Sequence, residues 1–121
     1  MKQDRLSELS MDFAVSIARL TNDLRKKGEH IISDQLGRSG MSIGANIREA
    51  NYAQSKPDFI SKMQIALKEA NESDYWLEVL DRTQSITEEQ YTILRQTCKE
   101  LRLILIASIR TAKEIGKNNR A

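Results

Sequence analysis

The sequence predicts an all-α protein, an antiparallel up-down-up-down four-helix bundle. Three observations predict it. Apolar residues recur every three or four positions in each of four segments, which is the period of one helix face. The breaks between segments are about four to six residues long, so neighbouring helices must fold back on each other. One proline, five glycines and a 5% aromatic share leave little for a sandwich or barrel of many turns.

The first helix is expected over about residues 4–27. Leu6, Leu9, Phe13, Ile17, Leu20 and Leu24 form its apolar stripe. Arg25, Lys26 and Lys27 suit the negative end of its dipole, and Gly28 supplies a left-handed stop. The second helix is expected over about residues 34–53, starting at Ser33 or Asp34, with Leu36, Gly40, Ile43, Ile47 and Ala50 on one face. Gly37, Gly40 and Gly44 lie inside it, each at a cost of about 1 kcal/mol relative to alanine. Ser39, Ser42 and Ala45 keep the surroundings small, so this face is shaved for close approach of another backbone. It matches neither a dinucleotide fingerprint nor a P-loop, and no strand precedes it.

The third helix is expected over about residues 57–82, with Pro57 at its first position. Phe59, Met63, Ala66, Ala70, Ser73, Leu77 and Leu80 share a face, which Tyr75, Trp76 and Val79 widen. The fourth is expected over about residues 88–115, opened by the capping box Thr87-x-x-Gln90. Its seam is Tyr91, Leu94, Cys98, Leu101, Leu105, Ser108, Ala112 and Ile115. Gly116 is expected to end it, with residues 116–121 as a frayed tail.

The 121 residues fit one domain, and 40% hydrophobic with 30% charged residues is enough to bury a core. No apolar run approaches the roughly 18 residues of a spanning helix, and the N-terminus lacks a signal-peptide apolar block. The expected setting is therefore cytoplasmic, without a membrane contact. A lone cysteine excludes an internal disulfide framework and a multi-cysteine zinc site. His30 is the single histidine and falls in a predicted loop, so a Glu-x-x-His di-metal bundle or a histidine-based triad finds no support. Cys98 sits at a core position. The reading is of no cofactor, no metal and no catalytic residue.

The fourth helix is apolar well beyond one seam. Ile93, Leu103, Ile104, Ile106 and Ile109 fall outside the heptad core, more than one bundle buries. This surplus predicts a homo-oligomer, with Leu103, Ile104, Ile106 and Ile109 at its interface. The net charge of +2 conceals a segregation. Residues 58–89 carry net −5, and residues 90–121 carry net +5. Arg95, Lys99, Arg102, Arg110 and Lys113 lie on the outward face of the fourth helix. They either complement the acidic third helix or meet the phosphates of RNA. Asn46, Glu49, Asn51, Glu69 and Glu72 form a polar cluster, expected as an inter-helix hydrogen-bond network that fixes register. Glu49 and Glu72 as an acid–base pair is the rival reading.

At the second helix the residues become recognisable. Gln35-x-x-Arg38-Ser39-x-x-Ser42-Ile43-x-x-Asn46-Ile47-x-Glu49 resembles the signature of the 23S rRNA intervening-sequence proteins, a family of small four-helix bundles. The likeness continues through Ser55, Phe59, Ile65-Ala66 and Glu72 to Leu77, and spans about residues 12–115. Ala50 and Lys68-Glu69 depart from the family's commoner residues. The resemblance implies a bacterial cytoplasmic protein and a ring-like homo-oligomer, a homopentamer. It also implies a relation to the accessory proteins of diversity-generating retroelements, five-fold barrels that bind a reverse transcriptase and nucleic acid. It carries over no catalytic residue. The expected function is a non-enzymatic homo-oligomeric scaffold that binds RNA or a nucleic-acid-processing protein through its basic face. The alternative is a protein-binding adaptor without nucleic-acid contact.

Overall fold

The chain reverses direction at three short links, and each has a local cause. Gly28 takes φ +85, a left-handed conformation that glycine adopts without steric cost. The Gly28 N–H donates to the Arg25 carbonyl and the Glu29 N–H to the Leu24 carbonyl, the paired bonds of a Schellman stop. Gln84, at φ 57, repeats the device, with the Ser85 N–H donating to the Leu80 carbonyl. Between these links, Ser55 caps a helix by accepting from the Asp58 N–H at 3.2 Å. Thr87 and Gln90 close a reciprocal capping box at 2.9 and 3.0 Å.

The structure, a computed structural model, describes residues 2–120 and the side chains of residues 5–115. Its elements are α1 (Lys2–Lys26), α2 (His30–Asn51), α3 (Lys56–Arg82) and α4 (Glu88–Arg120). Successive helices pack antiparallel, and α1 closes against α4, so the architecture is the four-helix bundle the periodicity predicts. Among the described residues the backbones of the diagonal pairs α1/α3 and α2/α4 do not approach each other closely; only their side chains meet, in the shared core. No described helix is long and apolar enough to cross a membrane.

Boundaries shift by up to five residues from the sequence reading, and three of the shifts are informative. α2 begins at His30, because the Schellman turn at Gly28 delivers the chain straight into the next helix. His30 is therefore helical and exposed, not a loop residue. Pro57 is the second residue of α3 rather than the first. The α4 backbone runs through Gly116 to Arg120, since a glycine stops a helix only where it turns left-handed. The side chains of 116–121, assigned to a frayed tail, lie outside the described residues.

The core runs the length of the bundle. Phe13, Ile17 and Leu24 of α1 meet Leu36, Ile43 and Ile47 of α2, Met63, Leu77 and Leu80 of α3, and Leu101 and Leu105 of α4. Each fully buried aliphatic side chain contributes about 1.5–3 kcal/mol before entropy is counted. The shaved face of α2 meets α1. A Cβ on Gly40 would stand 2.9 Å from Ile17 Cγ2, closer than real contacts allow.

Candidate interaction surface

On α4, Lys99, Leu103, Ile106, Arg110 and Lys113 follow one another at steps of three and four, so they share one face. Leu103 is 58% exposed and Ile106 40%. Ile104 is half-buried against the core. Ile109, expected at an oligomer interface, is instead buried in the protomer's own core. The cause is the difference between 3.6 and 3.5 residues per turn. Ile109 lies five full helical turns from Tyr91 and so returns to the seam, while Ile115 drifts out of it and is exposed.

The five basic residues assigned to the outward face of α4 divide into two groups. Arg95 Nε and Arg102 Nη1 each stand 3.7 Å from an oxygen of Asp74 on α3. Arg95 also lies over the Tyr91 ring, 5.7 Å from its centre. Arg102 Nε is buried without a hydrogen-bond partner. These two guanidiniums therefore answer the acidic third helix. Lys99, Arg110 and Lys113 are exposed and have no acidic partner among the described residues. Lys99 stands beside Leu103 and Ile106 in one shallow groove. Arg110 and Lys113 rim a second groove floored by Leu67, Ile106 and Ile109.

The polar residues between α2 and α3 are arranged around a side chain that the sequence reading left out of their cluster. Arg38 donates to Glu69 at 2.9 Å and also pairs with Glu72. Trp76 Nε1 donates to the same Glu72 carboxylate at 2.9 Å. Beneath them the buried hydroxyls of Ser39 and Ser73 meet at 2.9 Å. The Glu69-x-x-Glu72 spacing on α3 was the signal for a cationic hub opposite. The Trp76 and Arg38 hydrogen bonds hold the Glu72 carboxyl below the usual carboxylate range. Glu49 is exposed and faces Lys62 of α3 at 3.7 Å. Asn46 donates to the Ser42 carbonyl at 2.9 Å and stays on its own helix, while Asn51 reaches Ser7 of α1 at 3.4 Å. The expected cluster is thus four separate contacts. Glu49 and Glu72, the rival acid–base candidates, instead pair with different cations, Lys62 and Arg38.

The pattern of the 23S rRNA-intervening sequence protein family matches residues 2–107, which is most of the chain. The chain belongs to that family. Its fold is also that of a protein of known structure. A protein with unknown function from the S23 ribosomal protein family of Bacteroides thetaiotaomicron VPI-5482, solved at 1.70 Å resolution, is 50% identical, with a TM-score of 0.88. The match covers 91% of this chain and 99% of that one. No curated protein sequence matches. The signature residues have divided places in this family member. Ile43 and Ile47 are buried, Ser39 and Arg38 bind α2 to α3, and Gln35 is exposed.

Two further residues complete the survey. Cys98 is buried, and its thiol contacts the Ala70 carbonyl at 3.2 Å. Burial, with the nearby Asp74 charge, pushes the thiol up to about 12, which suits a small core side chain rather than a nucleophile. Among the described residues no group of three or more His, Cys, Asp or Glu side chains is placed to hold a metal ion.

Proposed function

We propose that this chain acts without chemistry of its own, as the repeating unit of a cytoplasmic homo-oligomeric scaffold. The observation that carries the reading is the outward pair Leu103 and Ile106, adjacent on one face of α4 at 58% and 40% exposure. A protomer gains nothing from holding these side chains in water, and a neighbouring copy would cover them. The family resemblance supports a ring, and five copies is the number it suggests. Sedimentation velocity at micromolar concentration tests the reading. A defined multiple of the 13.8 kDa protomer is expected, and a single species at protomer mass defeats it.

A second reading is favoured by Lys99, Arg110 and Lys113, three cations left without carboxylates. In it the scaffold holds RNA, or a nucleic-acid-processing protein with its RNA, by phosphate contacts. Filter retention of RNA then falls steeply as salt rises, and neutralising the three residues flattens that slope by about three counterions' worth. Retention that ignores the three substitutions gives the surface to a protein partner instead.

A further inference from the structure

Arg95, Lys99 and Arg102 follow one another along α4 at steps of four and three, and they line one groove with Asp74 of α3. Three cations against one carboxylate leave this groove with an excess of positive charge. The carboxylate places the guanidiniums more than it satisfies them. Arg95 Nε and Arg102 Nη1 both stand 3.7 Å from Asp74 oxygens, outside good hydrogen-bond range. Arg95 is also held over the Tyr91 ring, and Arg102 Nε is buried without a partner. Arg38 shows the contrast, since it donates to Glu69 at 2.9 Å and pairs with Glu72. A guanidinium carries five N–H donors, and those of Arg95 and Arg102 make no hydrogen bond to the protein among the described residues. Lys99, on the turn between them, is exposed.

Such a groove suits an anion with more than one charge and more than two oxygens. A carboxylate offers one charge and two oxygens, and a single guanidinium satisfies it. An internal phosphodiester of a nucleic acid also carries one charge. A phosphate monoester carries a charge of about −1.5 to −2 at neutral pH and three acceptor oxygens. We propose that this groove binds a phosphate monoester, its oxygens received by Arg95, Lys99 and Arg102, with Asp74 holding the two guanidiniums in place. Two sources share that chemistry: a free small molecule such as a nucleoside monophosphate, and the phosphorylated end of a nucleic-acid chain. The inference goes beyond both readings above, because it needs neither assembly nor contact along a polymer. It shares one cation, Lys99, with the RNA surface.

The test follows the arginine Nε–H and α4 amide signals of the isotope-labelled full chain by NMR. Inorganic phosphate, added at constant ionic strength against a chloride control, is expected to move the Arg95 and Arg102 signals until they saturate. Arg19, an exposed arginine of α1, is expected to stay in place. Arg95→Gln, at an exposed position, should weaken binding about tenfold, and far-UV circular dichroism checks that it stays helical. Asp74→Asn removes the competing charge and should tighten binding, a result that mere loss of structure does not give. Shifts no larger than those from chloride, equal shifts at Arg19, or an Arg95→Gln chain that binds like the parent overturn the site. A nucleoside 5′-monophosphate and one short RNA with either a 5′-phosphate or a 5′-hydroxyl then identify the source. Tighter binding of the nucleotide than of inorganic phosphate assigns a free molecule, and a preference for the 5′-phosphorylated RNA assigns a chain end. RNA that binds equally with either end, and more tightly than the nucleotide, overturns the monoester in favour of contact along the polymer. None of these outcomes depends on sedimentation, so the scaffold reading stands or falls separately.

Discussion

Arg38 holds two helices together with one guanidinium, and its cost of removal is a residue-scale question. Its contacts to Glu69 and Glu72 are charge-assisted, but the side chain is half exposed. Arg38→Ala should therefore cost about 1 kcal/mol, near the low end for hydrogen bonds to charged groups. The pH dependence follows from Glu72, whose folded carboxyl binds its proton more weakly than the unfolded one. Its stabilisation is complete above the ordinary glutamate value of about 4.3 and is lost as pH falls through the lowered folded value. Urea unfolding at neutral pH and in acid measures it. Glu72→Gln should flatten the acid limb, and an unchanged limb would mean that the carboxylate does not gain from these bonds. Sequence spacing placed Arg38, Glu69 and Glu72 on their helices. It could not pair them, because pairing depends on the register of α2 against α3.

Element-scale features were the most legible. Each helix announces itself by an apolar stripe, and the links by Gly28, Pro57 and the Thr87/Gln90 box. Less legible were the ends, because α2 starts as soon as the Gly28 turn is complete and needs no side-chain cap. Gln84 in a left-handed position was not legible either, since glutamine carries no preference for it. The glycines of α2 give a prediction that separates two kinds of small residue. At Gly40 a methyl group would press on β-branched Ile17 at 2.9 Å. Overpacking of about 1–3 kcal/mol then outweighs the helix gain of about 1 kcal/mol. At Gly37 the nearest atom is the flexible end of Met41 at 3.5 Å, an ordinary contact. Gly40→Ala should lower the urea midpoint and Gly37→Ala raise it. Equal shifts would mean that close approach to α1 is not what keeps position 40 small.

At the scale of the whole molecule, the charge separation along the chain becomes a partial cancellation in space. The −5 and +5 segments belong to adjacent helices, yet Arg95 and Arg102 alone of the five outward cations lie near Asp74. The surplus apolar face of α4 was legible as a count and misjudged in membership. A heptad frame kept Ile109 outside, and the real helix rotated it inward. The groove between α1 and α2 went unnoticed, because Met11 and Met41 are unremarkable until three dimensions bring them to one groove.

Asp74 then has a role larger than its one charge. A single carboxylate stands before two guanidiniums, at distances too long for a hydrogen bond to either, and it restrains their field without consuming it. Asp74→Asn would leave Arg95, Lys99 and Arg102 as an uninterrupted positive strip on one side of the bundle. Retention of RNA at fixed moderate salt should then increase, even if the parent chain retains almost none. No increase would place any polyanion contact elsewhere. On the RNA-scaffold proposal, Asp74 would set how strongly this face of α4 attracts phosphates.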